Sequence, residues 1–115
     1  MSAAMPKAEP VPKTDPTSVF AALGEPNRIR LLDRLGDGAP RSIARLADGM
    51  AISRQALSKH LRVLESAGLA SATRDGRQTL YRIDPAGLLV AEAWIGDVSR
   101  QWDAAIDRLK RHVEV

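Results

Sequence analysis

The 115-residue chain contains no cysteine, which excludes disulfides, thiolate nucleophiles, iron–sulfur clusters and every zinc site that relies on sulfur. Imidazole is nearly as scarce, with His60 and His112 as its two carriers. Aromatic side chains amount to Phe20, Tyr81, Trp94 and Trp102. The core therefore has to be built from Leu, Ile, Val and Ala, and the stacked aromatic platforms that hold single-stranded nucleic acid are missing. No apolar run approaches the roughly 18 residues of a membrane span, and the opening MSAAMPKAEPVP lacks the apolar middle of a secretory signal. The expectation is a cytoplasmic protein with no membrane contact. No nucleophile and base stand at a recognisable spacing, so neither an enzyme nor a bound cofactor is expected. Net charge is small too, at +3, yet the isoelectric point near 9.8 favours an anionic partner.

A chain of this length has room for one domain with one modest core. Four of its seven prolines (Pro6, Pro10, Pro12, Pro16) fall in residues 1–16, which carry too little apolar surface to offset the entropy of ordering. That segment is expected to be a flexible tail, with Lys7 and Lys13 cancelled by Glu9 and Asp15. From residue 17 to 115 the pattern is that of one domain. Val19, Phe20 and Leu23 mark a short first helix stopped by Gly24, and Pro26 opens a second that runs to about residue 35. Ser42 can cap a third helix with Ile43, Leu46 and Ala47 inward, and Ser53 a fourth that ends near Gly68. LASATR and QTLYRI flank Asp75-Gly76-Arg77, a hairpin signal in which Gly76 supplies the positive φ of a tight turn. Asp84 before Pro85 then starts a long last helix. The fold class is mainly α with a small two-stranded β-wing.

The third and fourth helices have the spacing of a helix-turn-helix. Ala47 is small where the helices cross, Ala51 occupies the expected turn of Met50, Ala51 and Ile52, and Leu46, Met50, Ile52 and Leu57 lock the pair. On the fourth helix Leu57, Leu61 and Leu64 fall in one narrow sector, while Arg54, Gln55, Ser58, Lys59 and Arg62 gather on the other side. Those are the side chains that read base edges and hold phosphates: Gln bidentate to adenine, Arg to guanine, Ser and Lys to phosphate or base. Ser53 precedes them at the cap. Arg74 and Arg77 flank Gly76 at the ribbon tip, where a minor-groove or phosphate contact needs positive charge. His60 lies between the two faces and suits packing or a phosphate contact better than a metal.

Charge is distributed unevenly. Residues 41–82 hold eight basic side chains against three acidic, whereas residues 85–115 hold four against five. The positive field therefore sits on the reading helices and wing. The last helix differs in kind: Leu88, Ala91, Ile95, Val98, Trp102, Ile106, Leu109 and Val113 form an apolar stripe, with Trp94 at its edge. At nearly thirty residues it is longer than so small a domain can cover, and a partner chain is the simplest cover. Gly87 and Gly96 each cost about 1 kcal/mol inside a helix, which allows a bend near Gly96. Trp94 and Trp102 can either pack in that seam or line a small apolar ligand pocket there. Asp103, Asp107 and Arg111 look like a solvated face.

Over residues 17–112 the chain resembles the ArsR-type winged helix-turn-helix transcriptional regulators. VFAALGEPNRIRLLDRLGDG is similar to the family's opening helices, SRQALSKHLRVLESAGLA to its recognition helix and exit, and TRDGRQTLYRID to its wing. The resemblance implies a homodimer held by the first and last helices, which would seat Phe20 with Ile95, Val98, Trp102, Ile106 and Leu109 in the interface formed by a last helix of residues 85–113. It also implies a repressor on a two-fold symmetric operator of double-stranded DNA, released by an effector. Metal-sensing members place cysteines on the third helix or acid and histidine ligands on the last. Here the third helix reads SIARLADGM and the last carries only His112, so that sensing chemistry does not carry over, no metal is expected and the signal is a non-thiol one. The expected DNA contacts are Ser53, Arg54, Gln55, Ser58, Lys59, Arg62, Arg74 and Arg77. The competing reading is a winged-helix protein-interaction module that does not bind DNA and docks through its long helix.

Overall fold

The computed structural model describes residues 14–114. Most of the segment expected to be a tail, residues 1–13, therefore lies outside the described residues. Helix α1 (Pro16–Leu23) begins where the Asp15 carboxylate accepts the Ser18 amide at 2.8 Å, and Pro16 sits at the first helical position, where a missing N–H costs nothing. Helix α2 (Pro26–Leu35) has the expected bounds, with the Glu25 carboxylate over its first amides and Gly36 at its end. A two-residue strand β1 (Arg41–Ser42) leads into α3 (Ile43–Ala47), and α4 (Arg54–Ser66) follows. Both serine caps form: Ser42 Oγ accepts the Arg45 amide at 3.3 Å and Ser53 Oγ the Ala56 amide at 3.0 Å.

The wing is a hairpin of β2 (Ala70–Asp75) and β3 (Gln78–Ile83), antiparallel, with Ala70 opposite Ile83 and Asp75 opposite Gln78. Gly76, at φ +65°, opens its two-residue turn. The expected two-stranded ribbon is in fact part of a three-stranded sheet of order β1-β3-β2, because Arg41 pairs with Tyr81 and Ser42 with Leu80. Two residues are too few to show an alternation in sequence, so β1 is visible only through its partner. Helix α5 (Pro85–Glu114) is unbroken through Gly96.

A second departure concerns the helix-turn-helix connection. Helix α3 stops at Ala47 because Asp48 turns extended (φ −60°, ψ 121°) and Gly49 takes φ +78°. The connection therefore spans residues 48–53 rather than the three expected at Met50 to Ile52. The positive-φ glycine that such a turn favours is Gly49, two residues before Ala51.

The core is aliphatic, as the shortage of aromatics requires. Val19 and Ala22 of α1, Leu31 and Leu35 of α2, Leu46 of α3, Leu57, Leu61 and Leu64 of α4 and Leu69 are fully buried. Tyr81 also belongs to this core, and among the described residues no charged side chain is buried. The α4 exit is tied to the start of α5: the Gly87 amide donates to the Gly68 carbonyl at 2.7 Å. A Cβ on Gly87 would lie 2.7 Å from the Ala67 carbonyl oxygen, so this junction needs glycine for its close approach.

Candidate nucleic-acid interface

Helix α4 divides as its sequence pattern requires. With Leu57, Leu61 and Leu64 fully buried, Ser53, Arg54, Gln55, Lys59 and Arg62 are exposed and Ser58 half-buried. Ser53, Gln55, Ser58, Lys59 and Arg62, together with Ala56, line one open concavity of about 610 Å³. Five of the six candidate residues at this helix thus share one surface, and Arg54 stands exposed at its first turn. The face has serine hydroxyls, one amide and three cations, and the one acid of α4, Glu65, is half-buried towards its far end. It can donate hydrogen bonds to phosphates and exchange a bidentate pair with a base edge.

The elements leading into α4 are held by groups that sequence periodicity does not single out. Arg34 of α2 donates through one terminal nitrogen to the Leu46 carbonyl at 2.9 Å and also to the Asp48 carbonyl, satisfying the open end of α3. Arg41 donates to the Arg34 carbonyl at 2.9 Å and pairs with Asp37. The pattern of α2 gives no sign of these roles, because the accepting carbonyls belong to other elements.

His60 is bound rather than free. Its Nδ1 lies 3.2 Å from an Arg28 terminal nitrogen and its Nε2 lies 3.3 Å from Glu25 Oε2. Burial pushes the Glu25 carboxyl upward. The Asn27 amide, the nearby His60 ring and the Arg28 amide outweigh it and hold the group below the usual carboxylate range.

At the wing, Arg74 lies on β2 opposite Thr79, Arg77 occupies the turn, and both are exposed. Tyr81 and Ile83 alternate inward, with Tyr81 buried. Burial pushes the Tyr81 hydroxyl up, Glu65 adds to that and Arg62 opposes it. Arg82, not singled out by sequence, is exposed beside Arg74 in a cavity of about 310 Å³ that also includes Thr73 and Asp75. Its place between Tyr81 and Ile83 in an alternating strand is the signal that points to it.

Helix α5 presents the opposite chemistry. Ala91 is buried and Val98 half-buried, but Ile95 and Ile106 are exposed, Trp102 is 67% exposed and Leu109 62%. Ile106, Leu109 and Val113 form an open apolar hollow of about 280 Å³ with Lys110. Trp94 packs edge-on against Phe20 of α1, ring centroids 5.4 Å apart, while Trp102 lies two turns further along the helix. No described helix is long and apolar enough to cross a membrane.

Comparison with known proteins agrees with this geometry. A family model described as a helix-turn-helix domain matches residues 23–71. An HTH-type transcriptional regulator of Mycobacterium tuberculosis is 33% identical over 91 residues, spanning 79% of this chain and 81% of that protein. A solved ArsR-like transcriptional regulator from Rhodococcus superposes with a TM-score of 0.73 at 35% identity, covering 83% of this chain and 89% of that one. The homodimeric winged helix-turn-helix DNA-binding domain of a possible ArsR-family regulator from Mycobacterium bovis gives a TM-score of 0.56 at 29% identity, over 80% and 82% of the two chains.

Proposed function

The chain belongs to the ArsR-type winged helix-turn-helix transcriptional regulators, which are DNA-binding proteins and not enzymes, and from that premise we propose that it acts as a homodimeric repressor on a two-fold symmetric operator. The observation that carries this reading is the division of α4: three leucines fully buried, and a hydroxyl, amide and guanidinium face left open beside them. In the proposed complex Arg54 and Gln55 meet base edges in the major groove. Ser53, Ser58, Lys59 and Arg62 hold the flanking phosphates or adjacent edges, and Arg74 and Arg77 bring the wing tip to the backbone. A second copy covers the α5 stripe of Ile95, Val98, Trp102, Ile106 and Leu109, with Phe20 at its rim. Two-fold symmetry then sets the half-sites one helical turn apart, roughly 34 Å. A chain without cysteine has to be released by a signal other than thiol chemistry.

The test starts with fragments selected from genomic DNA on the wild-type protein. Gln55→Ala is expected to relax base preference at one position per half-site. Lys59→Ala and Arg77→Ala are expected to weaken all sequences alike and to reduce the slope of log affinity against log salt by about 1 for each phosphate no longer neutralised in a half-site. Intact operator binding by all three variants would sink the site assignment. Failure of the wild type to bind random duplex at low salt would favour the protein-interaction module instead.

A further inference from the structure

The reading face of α4 and the apolar face of α5 lie on different elements, and a cluster of polar side chains joins their supports. Arg28 of α2 donates through Nε to the Ala22 carbonyl at 2.7 Å and through a terminal nitrogen to the Ala21 carbonyl at 3.3 Å. Those carbonyls belong to the last turn of α1, and α1 packs along α5 with Phe20 against Trp94. The remaining terminal nitrogen of Arg28 reaches His60 Nδ1 on α4 at 3.2 Å. A guanidinium can only donate, so Nδ1 accepts, and the ring proton of neutral His60 resides on Nε2, directed at Glu25 Oε2 3.3 Å away. Glu25 in turn caps α2 through the Asn27 and Arg28 amides. Arg28 thus joins His60 to the end of α1, Glu25 joins it to the start of α2, and His60 sits in sequence between Lys59 and Arg62.

We propose that Glu25, Arg28 and His60 are positioning residues for operator recognition: together they set the rotation of α4 against the α1–α5 frame, so that both protomers present their reading side chains at one spacing. This rests on the DNA-binding reading above and adds residues outside its contact face. The chemistry is directional. Rotation about the α4 axis would separate His60 from a planar fork that is held on two fixed carbonyls, and a flexible point charge in place of that fork would not resist it.

The test uses the 115-residue chain, its selected operator and a random duplex at low salt. His60→Leu keeps a similar volume without hydrogen bonds, His60→Gln keeps one acceptor and one donor, and Arg28→Lys keeps the charge without the fork. We expect His60→Leu and Arg28→Lys each to lower operator affinity by about tenfold, a loss typical of hydrogen bonds to charged groups. Random-duplex affinity, dimer dissociation and the salt slope are expected to stay near wild type, His60→Gln to restore most operator affinity, and the double variant to lose no more than the worse single. Additive losses would overturn the proposal. So would a matching loss on random duplex with a shallower salt slope, which would make His60 a phosphate contact. Operator binding by His60→Leu equal to wild type would overturn it as well. If His60→Leu does not fold, His60→Ala takes its place, alone and combined with Arg28→Lys, and the same non-additivity decides the question. A wild-type protein that bound no duplex would overturn the underlying reading too, and that outcome is distinct from all of these.

Discussion

Helices α4 and α5 are both amphipathic, and they solve the same problem in opposite ways. In α4 the apolar side is spent inside the chain, where Leu57, Leu61 and Leu64 are fully buried, and the polar side is left to a partner. In α5 the apolar side is itself what is left over: from Ile95 to Val113 most of its large side chains stand in solvent, Val113 at 77% exposure. A monomeric protein rarely leaves so long an apolar strip uncovered. The difference teaches that the hydrophobic pattern alone identifies a helix, while the chemistry of whichever face remains free identifies its partner: an anionic polymer for α4, a second apolar surface for α5.

The sharpest way to break that contrast is to put charge on the α5 stripe. In the proposed two-fold interface Trp102→Glu would bury a carboxylate twice, and aromatic anchors at such seams carry about 2 kcal/mol or more each. We expect dimer dissociation to rise by at least about a hundredfold, with helicity and thermal stability of the monomer nearly unchanged, as measured by sedimentation and circular dichroism. Operator affinity would fall with the dimer. An unchanged dimer would show that the stripe is covered by something else.

The matching change on α4 acts inward. Leu61→Ala removes a fully buried side chain from the middle of the core, and such truncations cost about 2–5 kcal/mol. Here the loss should appear in the melting temperature and in every property that depends on folding, DNA binding included. Trp102→Glu and Leu61→Ala thus separate a helix that needs a partner from one that is already packed.

Much of this is legible in sequence because it is local. The serine caps at Ser42 and Ser53, Pro26 at the start of α2, Gly76 at the wing turn and the sector of Leu57, Leu61 and Leu64 each depend on residues a few positions apart. What escapes is non-local. Strand β1 exists because Tyr81 and Leu80 are its neighbours, and Arg34 matters because the end of α3 happens to lie against α2. The Glu25, Arg28 and His60 cluster joins residues more than thirty positions apart. Helix spacing extended through Asp48 puts the turn on Ala51, whereas the glycine two residues before Ala51 supplies the positive φ.

A smaller effect tests how the two helices are joined. Gly87 is in the first turn of α5, and Ala67 and Gly68 at the α4 exit approach it so closely that a Cβ would lie 2.7 Å and 2.9 Å from their carbonyl oxygens. Two effects of Gly87→Ala oppose each other. Helix propensity favours alanine by about 1 kcal/mol, while overpacking against rigid backbone costs about 1–3 kcal/mol. The contacting atoms are carbonyl oxygens rather than the end of a flexible side chain, so the backbone must move, and the hydrogen bond from the Gly87 amide to the Gly68 carbonyl moves with it. We expect a net loss of about 1 kcal/mol in stability, read from denaturant midpoints. The more telling readout is operator affinity at a fixed dimer population. If the joint only packs the chain, affinity follows stability and stays near wild type under conditions where the protein is folded. If the joint also sets the angle between the reading helix and the dimer helix, operator affinity falls while random-duplex affinity does not.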